Sequence, residues 1–353
     1  MFRNPKPMKS LLPLLIISFF IPMFGNAQDE KPQAIERACP SVFSFSKNHK
    51  TYSFRYASNH PIAVQNKKIK QLVIYIHGAR RNGLDYYQWG EKAVIAANKN
   101  DETLFISPQF NSEKDLEDHK HDATHLFWVK NNWRIGDESV SSEKRTMEES
   151  FSSFSLIDSL IARACNKKLF PSLKRITIIG HSAGGQFVSR YVGMTPMPKI
   201  SNTYKFNFII MNPSTYMYLD DRRPVKTETG LTFIKPDTSG CPSFNDYPRG
   251  MEKLNPYALK VGVETIKQQF LNRDVSFILG EKDVNVNDSS LDKTCEGNMQ
   301  GHFRLERGQF FYEYLQLYSN KKKIHQIEVV PDVAHDGDKM VNSKAARWHL
   351  FGI

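Results

Sequence analysis

The chain has 353 residues, 40% of them hydrophobic and 24% charged, with a formal net charge of +11. That balance suits a globular protein with a substantial core, and the lack of a fixed-period repeat or a long biased tract excludes a repeat array or a low-complexity chain. The lysines and arginines fall in short scattered runs ("NKK", "KKK", "RR") with no nucleic-acid motif beside them, so the charge is read as solubility with a mild bias toward anionic surroundings.

The first 27 residues stand apart. Arg3, Lys6 and Lys9 precede an almost wholly apolar run, 11–24, and Gly25 and Ala27 supply small residues after it. This is the layout of a secretory signal peptide cut after Ala27. It leaves a secreted or periplasmic mature chain, 28–353, with a net charge of +8 and one domain. A membrane anchor is the alternative, but the run is short for a span and contains Pro13 and Pro22. Cys39 comes too late to carry a lipid, so no stable membrane anchor is expected. The cysteines are Cys39, Cys165, Cys241 and Cys295. Export permits disulfides, and four cysteines allow three pairings. Cys241 with Cys295 is favoured, because both lie in loop-like segments rich in Gly, Pro and Asp; four buried thiols is the alternative. The wide spacing gives no metal-ligand pattern.

Residues 50–56, "KTYSFRY", alternate polar and aromatic side chains as a half-buried strand does. Residues 70–76, "KQLVIYI", form a continuous apolar strand of the kind buried on both faces of a parallel sheet. A glycine loop, "HGARRNG", and a helix over 85–98 follow, then a short strand over 103–107. Helical spacing of Phe151, Phe154, Leu156, Ile157, Leu160 and Ile161 predicts a helix over 148–165. Further strands are expected at 175–179, 206–211, 275–279 and 326–330, and helices at 183–191, 303–318 and 339–351. This alternation predicts an α/β protein with a mostly parallel sheet flanked by helices. Two stretches break it: 111–147, with "LFWVKNNW" at its centre, and a loop-rich insertion, about 212–253, after the strand ending near Met211. Long loops in compact domains often serve as lids or binding walls.

"GHSAGG" places Ser182 in a G-x-S-x-G turn between a strand and a helix. Small residues on both sides allow a sharp turn that displays the hydroxyl, and the first helical N–H groups point toward it. Such turns also serve as packing devices, so the rest of the sequence must supply a base and a group to orient it. "LGEKD" offers Asp283 directly after a buried strand, with Glu281, Asp288, Asp220 and Asp221 as other candidates. "DVAHDG" offers His335 in a loop after the last strand. His302 stays possible, while His325 and His349 are read as structural. The "YIHGA" loop supplies Ala79 as one backbone oxyanion donor, with Ala183 as the other.

Residues from about 70 to 349 therefore resemble an α/β-hydrolase, and the secreted carboxylesterases in particular. The resemblance rests on "YIHGA", "GHSAGG", "LGEKD" and "DVAHDG" in that order. It implies an α/β-hydrolase fold, a Ser182–Asp283–His335 triad and cleavage of carboxylic esters through an acyl-enzyme, with no cofactor and no metal. The 212–253 insertion departs from minimal members. Small-molecule or polymeric esters are the expected substrates, cell-wall glycan esters and polyesters among them. A serine peptidase or amidase and a non-catalytic binding module on the same fold are the alternatives. Trp128 and Trp133 are expected to shape the pocket, within a set that includes Tyr86, Tyr87, Trp89, Phe127, Tyr216 and Tyr218. Arg80 and Arg81 are candidates for an anionic substrate group.

Overall fold

The computed structural model describes Met1 and residues 35–200, 202–319 and 324–353; the rest of the expected signal peptide, residues 2–27, lies outside the described residues. The described residues hold ten strands: β1 Ser41–Lys47, β2 Lys50–Ser58, β3 Gln71–Ile76, β4 Thr103–Gln109 and β5 Arg175–His181, then β6 Lys205–Met211, β7 Arg223–Thr227, β8 Gly230–Ile234, β9 Asp274–Gly280 and β10 Gln326–Val330. Eight of them form one sheet in the order β1-β2-β4-β3-β5-β6-β9-β10, and β7 pairs with β8 in a separate hairpin. From β4 to β10 every neighbour in the large sheet is parallel; β1–β2 and β2–β4 are antiparallel.

The apolar runs of β3, β5, β6 and β9 explain this arrangement. Successive side chains of a strand leave on opposite faces, so an unbroken apolar strand needs cover on both. Leu72, Ile74 and Ile76 enter one core cluster, while Val73 and Tyr75 enter a second across the sheet. Helices Ser153–Ala164 and Ala183–Met194 pack in the first cluster, and helices Gly83–Ala96 and Lys344–Phe351 in the second. Each Leu, Ile or Val buried this way contributes about 1.5–3 kcal/mol. Register then aligns the strand exits: Gly180 faces Ile76 and Ile210, Met211 faces Ile278, and Gly280 faces Val330. The loops leaving those C-terminal ends share one rim, the usual place for a ligand site in an open α/β sheet.

Several elements go beyond the sequence reading. β1 joins β2 through Asn48 and His49, both at positive φ, which closes a two-residue hairpin without the usual Asn-Gly. The expected closing helix is two helices, Gly337–Val341 and Lys344–Phe351, because the Ser343 hydroxyl accepts from Ala346 N–H and starts a new helix. Helices Pro256–Val261 and Val263–Asn272 flank Gly262, whose φ of 83° interrupts what would be one amphipathic run. The 212–253 stretch begins inside the core, with Tyr216, Met217, Tyr218 and Leu219 buried, and reaches the surface as the β7–β8 hairpin.

Candidate active site

Ser182 stands between β5 and helix Ala183–Met194 at φ 59° and ψ −119°, a conformation that costs a side-chain-bearing residue about 1–3 kcal/mol. Its N–H still donates to Met211 O, so the strained residue is anchored to the sheet. The turn leaves no room at either glycine. A Cβ on Gly180 would sit 2.1 Å from Gly184 O, and one on Gly184 would sit 2.1 Å from Ile76 O. Ala183 heads the helix, where the first N–H groups have no intrahelical acceptor. The β3 exit loop passes close by: a Cβ on Gly78 would lie 3.8 Å from Ser182 Cβ. Ala79, next in that loop, lines the cleft at Ser182.

The loops after β9 and β10 meet at the same point. Lys282 N–H donates to Val333 O, and Asp332 N–H to Glu281 Oε2, so the two loops are laced together. His335 then places Nε2 2.9 Å from Ser182 Oγ and Nδ1 2.7 Å from Asp283 Oδ2. Of the five acidic candidates, Asp283 is the one that reaches His335. Asp288 accepts from Arg304 and Ser290, Asp220 from Arg222 and Tyr318, Asp221 pairs with Lys235, and Glu281 holds Asp332 N–H. His302 points to Glu306, and His349 to Ser276 and Glu328.

Asp283 is only 3% exposed and has two partners the sequence did not announce. Asn212, the first residue after β6, donates to Asp283 Oδ2 at 2.6 Å and accepts from Gly280 N–H. Arg304, itself buried, donates Nη1 to Asp283 Oδ1 and Nη2 to Asp288 and Ser290. Burial alone would raise the Asp283 carboxyl. The hydrogen bond and charge of His335, with the Arg304 charge and the Asn212 bond, outweigh it and hold the carboxyl below its usual range. His181 packs against His335 with ring centroids 4.6 Å apart and bonds Tyr86 through Nδ1 at 3.0 Å. Burial first, then the proximity of His335 and Arg304, push its pKa well down, so no second positive charge competes with His335. His77 is likewise kept neutral by burial, at about 4; Nδ1 donates to Gly78 O and Nε2 accepts from Phe110 N–H, which fixes the start of the loop carrying Ala79.

No family model and no curated protein matches the sequence. Solved structures do match. A poly(3-hydroxybutyrate) depolymerase from Bordetella parapertussis aligns with a TM-score of 0.56 at 18% identity, over 90% of this chain and 90% of that one. A poly(aspartic acid) hydrolase from Sphingomonas sp. KT-1 aligns with a TM-score of 0.55 at 23% identity, over 88% of this chain and 98% of that one. The chain has the α/β-hydrolase fold. The resemblance read from the four motifs is met at the level of the fold.

On this hydrolase fold the cleft at Ser182 has two lobes. One, of about 660 Å³, runs past Tyr86, Trp89, His181, His335 and Arg80. The other, of about 510 Å³, runs past Asn131, Arg134, Gln186, Ser214 and Arg249. Residues 289 and 290 border both. The expected tryptophans do not line either lobe. Trp128 is 1% exposed and Trp133 0%. Their segment is tied to the sheet by backbone bonds from Leu126 to Ser53 and from Trp128 to Asn111, which turns the rings into the core. Trp133 stacks on Phe110 with centroids 5.1 Å apart and meets His77 edge-on. Phe127, Tyr216 and Tyr218 are buried as well. Arg81 is also corrected: it is buried and its Nε donates to Asp115 at 2.6 Å, while Arg80 is exposed in the cleft. The 111–147 and 212–253 segments do meet at the cleft, but through polar residues: Asn131 and Arg134 on one side, Ser214 and Arg249 on the other.

Cys241 and Cys295 are joined as a disulfide with Cα atoms 5.8 Å apart, while Cys39 is a buried thiol. Ser243 donates to Glu296 at 2.7 Å beside the bridge. The pair ties the insertion to helix Cys295–Asn298, which follows the cleft wall at 289–294. The bridge spans 54 residues, so a double Cys241→Ser, Cys295→Ser variant is expected to lose about 2–4 kcal/mol of stability. A thermal melt under non-reducing conditions checks this; an unchanged midpoint would show that the bridge constrains nothing. Among the described residues, no helix is long and apolar enough to cross a membrane.

Proposed function

We propose that the protein is a serine hydrolase of carboxylic esters, with Ser182 as nucleophile, His335 as base and Asp283 as the group that orients it. The observation that carries the reading is the unbroken line from Ser182 Oγ through His335 to Asp283, at 2.9 Å and 2.7 Å, with the serine held at a strained turn. Asp283 accepts from Nδ1–H and so leaves the Nε2 lone pair facing the hydroxyl. As Oγ attacks the ester carbonyl, Nε2 takes its proton, and the carbonyl oxygen becomes an oxyanion. The N–H groups of Ala183 and Ala79 are the proposed donors to it. The imidazolium next gives its proton to the departing alkoxide, which leaves as the alcohol. Water repeats the sequence on the acyl-enzyme and frees the acid and Ser182. No metal or cofactor is needed at any step.

The ester assignment also suits the poly(3-hydroxybutyrate) named for the Bordetella neighbour. Cell-wall glycan esters and polyesters are the proposed natural substrates, met outside the cell after cleavage near Ala27. The Cys241–Cys295 bridge is compatible with that setting. The test is hydrolysis by the purified mature chain of 4-nitrophenyl esters of graded length, feruloyl esters and matched 4-nitroanilides. Esters are expected to turn over at least about a hundredfold faster than their anilides. Anilides cleaved faster than esters would establish a peptidase or amidase instead, and no turnover of either would favour a binding module.

A further inference from the structure

The lobe of the cleft that contains Asn131, Arg134, Ser214 and Arg249 has no part in the proton transfers above. Its place in the reaction follows from the base. The leaving oxygen must face His335, which borders the first lobe and not the second. The second lobe borders Ser182 and Ala183, so it is positioned for the acyl half of the ester.

Two guanidinium groups border that lobe, and their surroundings differ. Arg249 is neutralised: its Nη2 and Nε donate to Asp292 Oδ2 at 2.5 Å and 3.1 Å. Arg134 is half-buried and, among the described residues, makes one hydrogen bond, Nη1 to Asn131 O at 2.9 Å, with no carboxylate within ion-pair distance. The acidic groups near it are engaged elsewhere. Asp292 is held by Arg249 and Thr294, and Asp137 accepts from Asn255. Burial and the adjacent Arg249 charge lower the pKa of Arg134, as expected for a cation with too little compensation. The fully buried arginines of this fold are treated differently: Arg190 has Pro248, Gln186 and Thr215 as acceptors, and Arg307 has Gly301, Ser214 and Asn298. A guanidinium offers five N–H donors in a planar fork that matches a carboxylate. Holding one in a cleft, largely unbonded, is costly unless something fills it.

We propose that Arg134 receives a carboxylate at the far end of the acyl group, so that the preferred substrates are half-esters of dicarboxylic acids. The proposal rests on the reading of Ser182 as nucleophile for its catalytic consequence, and on the cleft alone for binding. A two-oxygen contact with Arg134 would supply donors that a neutral chain end leaves unused.

Two aryl esters of equal length test it: 4-nitrophenyl hexanoate and the mono-4-nitrophenyl ester of adipic acid. The parent is expected to favour the anionic ester in kcat/KM by about tenfold or more at low salt, and the ratio should shrink as sodium chloride is added. Arg134→Gln should bring the ratio near one, and Arg134→Lys should keep part of it. Calorimetric titration with adipate gives a second readout that needs no catalysis, with binding to the parent and its loss in Arg134→Gln. Equal turnover of both esters by the parent, or equal losses on both in Arg134→Gln, would overturn the proposal. Fluorophosphonate labelling keeps the two readings apart. Labelled Ser182 without discrimination sinks the anion site and keeps the hydrolase. Arg134-dependent adipate binding with Ser182 unlabelled keeps the site and sinks the hydrolase.

Discussion

Replacing Ser182 with alanine is expected to lower kcat on a 4-nitrophenyl ester by about 10³-fold or more and to abolish covalent labelling by a fluorophosphonate. In the proposed mechanism the hydroxyl forms the acyl-enzyme, and among the described residues it is the nucleophile that His335 Nε2 contacts, at 2.9 Å. Residual turnover would come from the backbone donors and from binding alone. The turn adds a second signature. At φ 59° and ψ −119° the strain comes from carrying a Cβ, which alanine keeps and glycine removes. Ser182→Ala should therefore melt near the parent, while Ser182→Gly should melt higher, by up to about 1 kcal/mol, and be equally inactive. Labelling of Ser182→Ala at the parent's rate would move the nucleophile elsewhere. A Ser182→Gly variant less stable than Ser182→Ala would show that the turn stores no strain.

The parts of this site visible in the sequence are those fixed by backbone geometry. A strand that must turn sharply into a helix needs small residues at Gly180 and Gly184, where a Cβ would strike backbone oxygens, so the motif is a steric record. Asp283 and His335 were legible because each lies within a few residues of the end of a strand, the apolar β9 and the last strand β10. Their supports were not. Asn212 follows β6 with no pattern to mark it, and its bonds to Asp283 and Gly280 depend on β6 and β9 being neighbours, which is a fact of topology. Arg304 opens a helix whose buried face also holds Glu306 and Arg307, so hydrophobic periodicity reads those positions as solvent-facing. The tryptophans failed for the opposite reason. Aromatic residues in a long loop read as a binding wall, yet Trp128 and Trp133 satisfy their ring N–H groups on Asp137 and Asn131 and spend their rings on core packing. Tyr86 and Trp89 do border the first lobe, but most of the cleft is lined by polar and charged side chains, which a sequence scatters without periodicity.

Asp283→Asn is expected to reduce kcat by about 10⁴-fold with little change in KM. The carboxylate accepts from His335 Nδ1, and that bond decides which ring nitrogen carries the proton. An asparagine turned so that its amide NH₂ faces the ring would donate to Nδ1, put the proton on Nε2 and leave nothing there to accept from Ser182. The surroundings favour that orientation. Asn212 donates to the same oxygen, Oδ2, that His335 uses, and Arg304 donates to Oδ1. Only one amide oxygen would remain for donors that now share two carboxylate oxygens, and it would be drawn toward the Arg304 charge. Asp288→Asn is the control. Asp288 also accepts from Arg304, at the same 3.3 Å but from the other amino group; it makes no contact with His335, and Ser290 remains as a partner for that guanidinium. It should cost less than about tenfold. The pH dependence follows from the same contacts. Because Asp283 is held below the usual carboxylate range, it stays ionised as the pH falls through that range, and its contribution to stability, present above the unfolded carboxyl pKa, is lost only on further acidification through the lower folded value. Steady-state kinetics of the two variants on one ester decides the assignment. A loss in Asp288→Asn as large as that in Asp283→Asn would transfer the orienting role and leave the fold untouched.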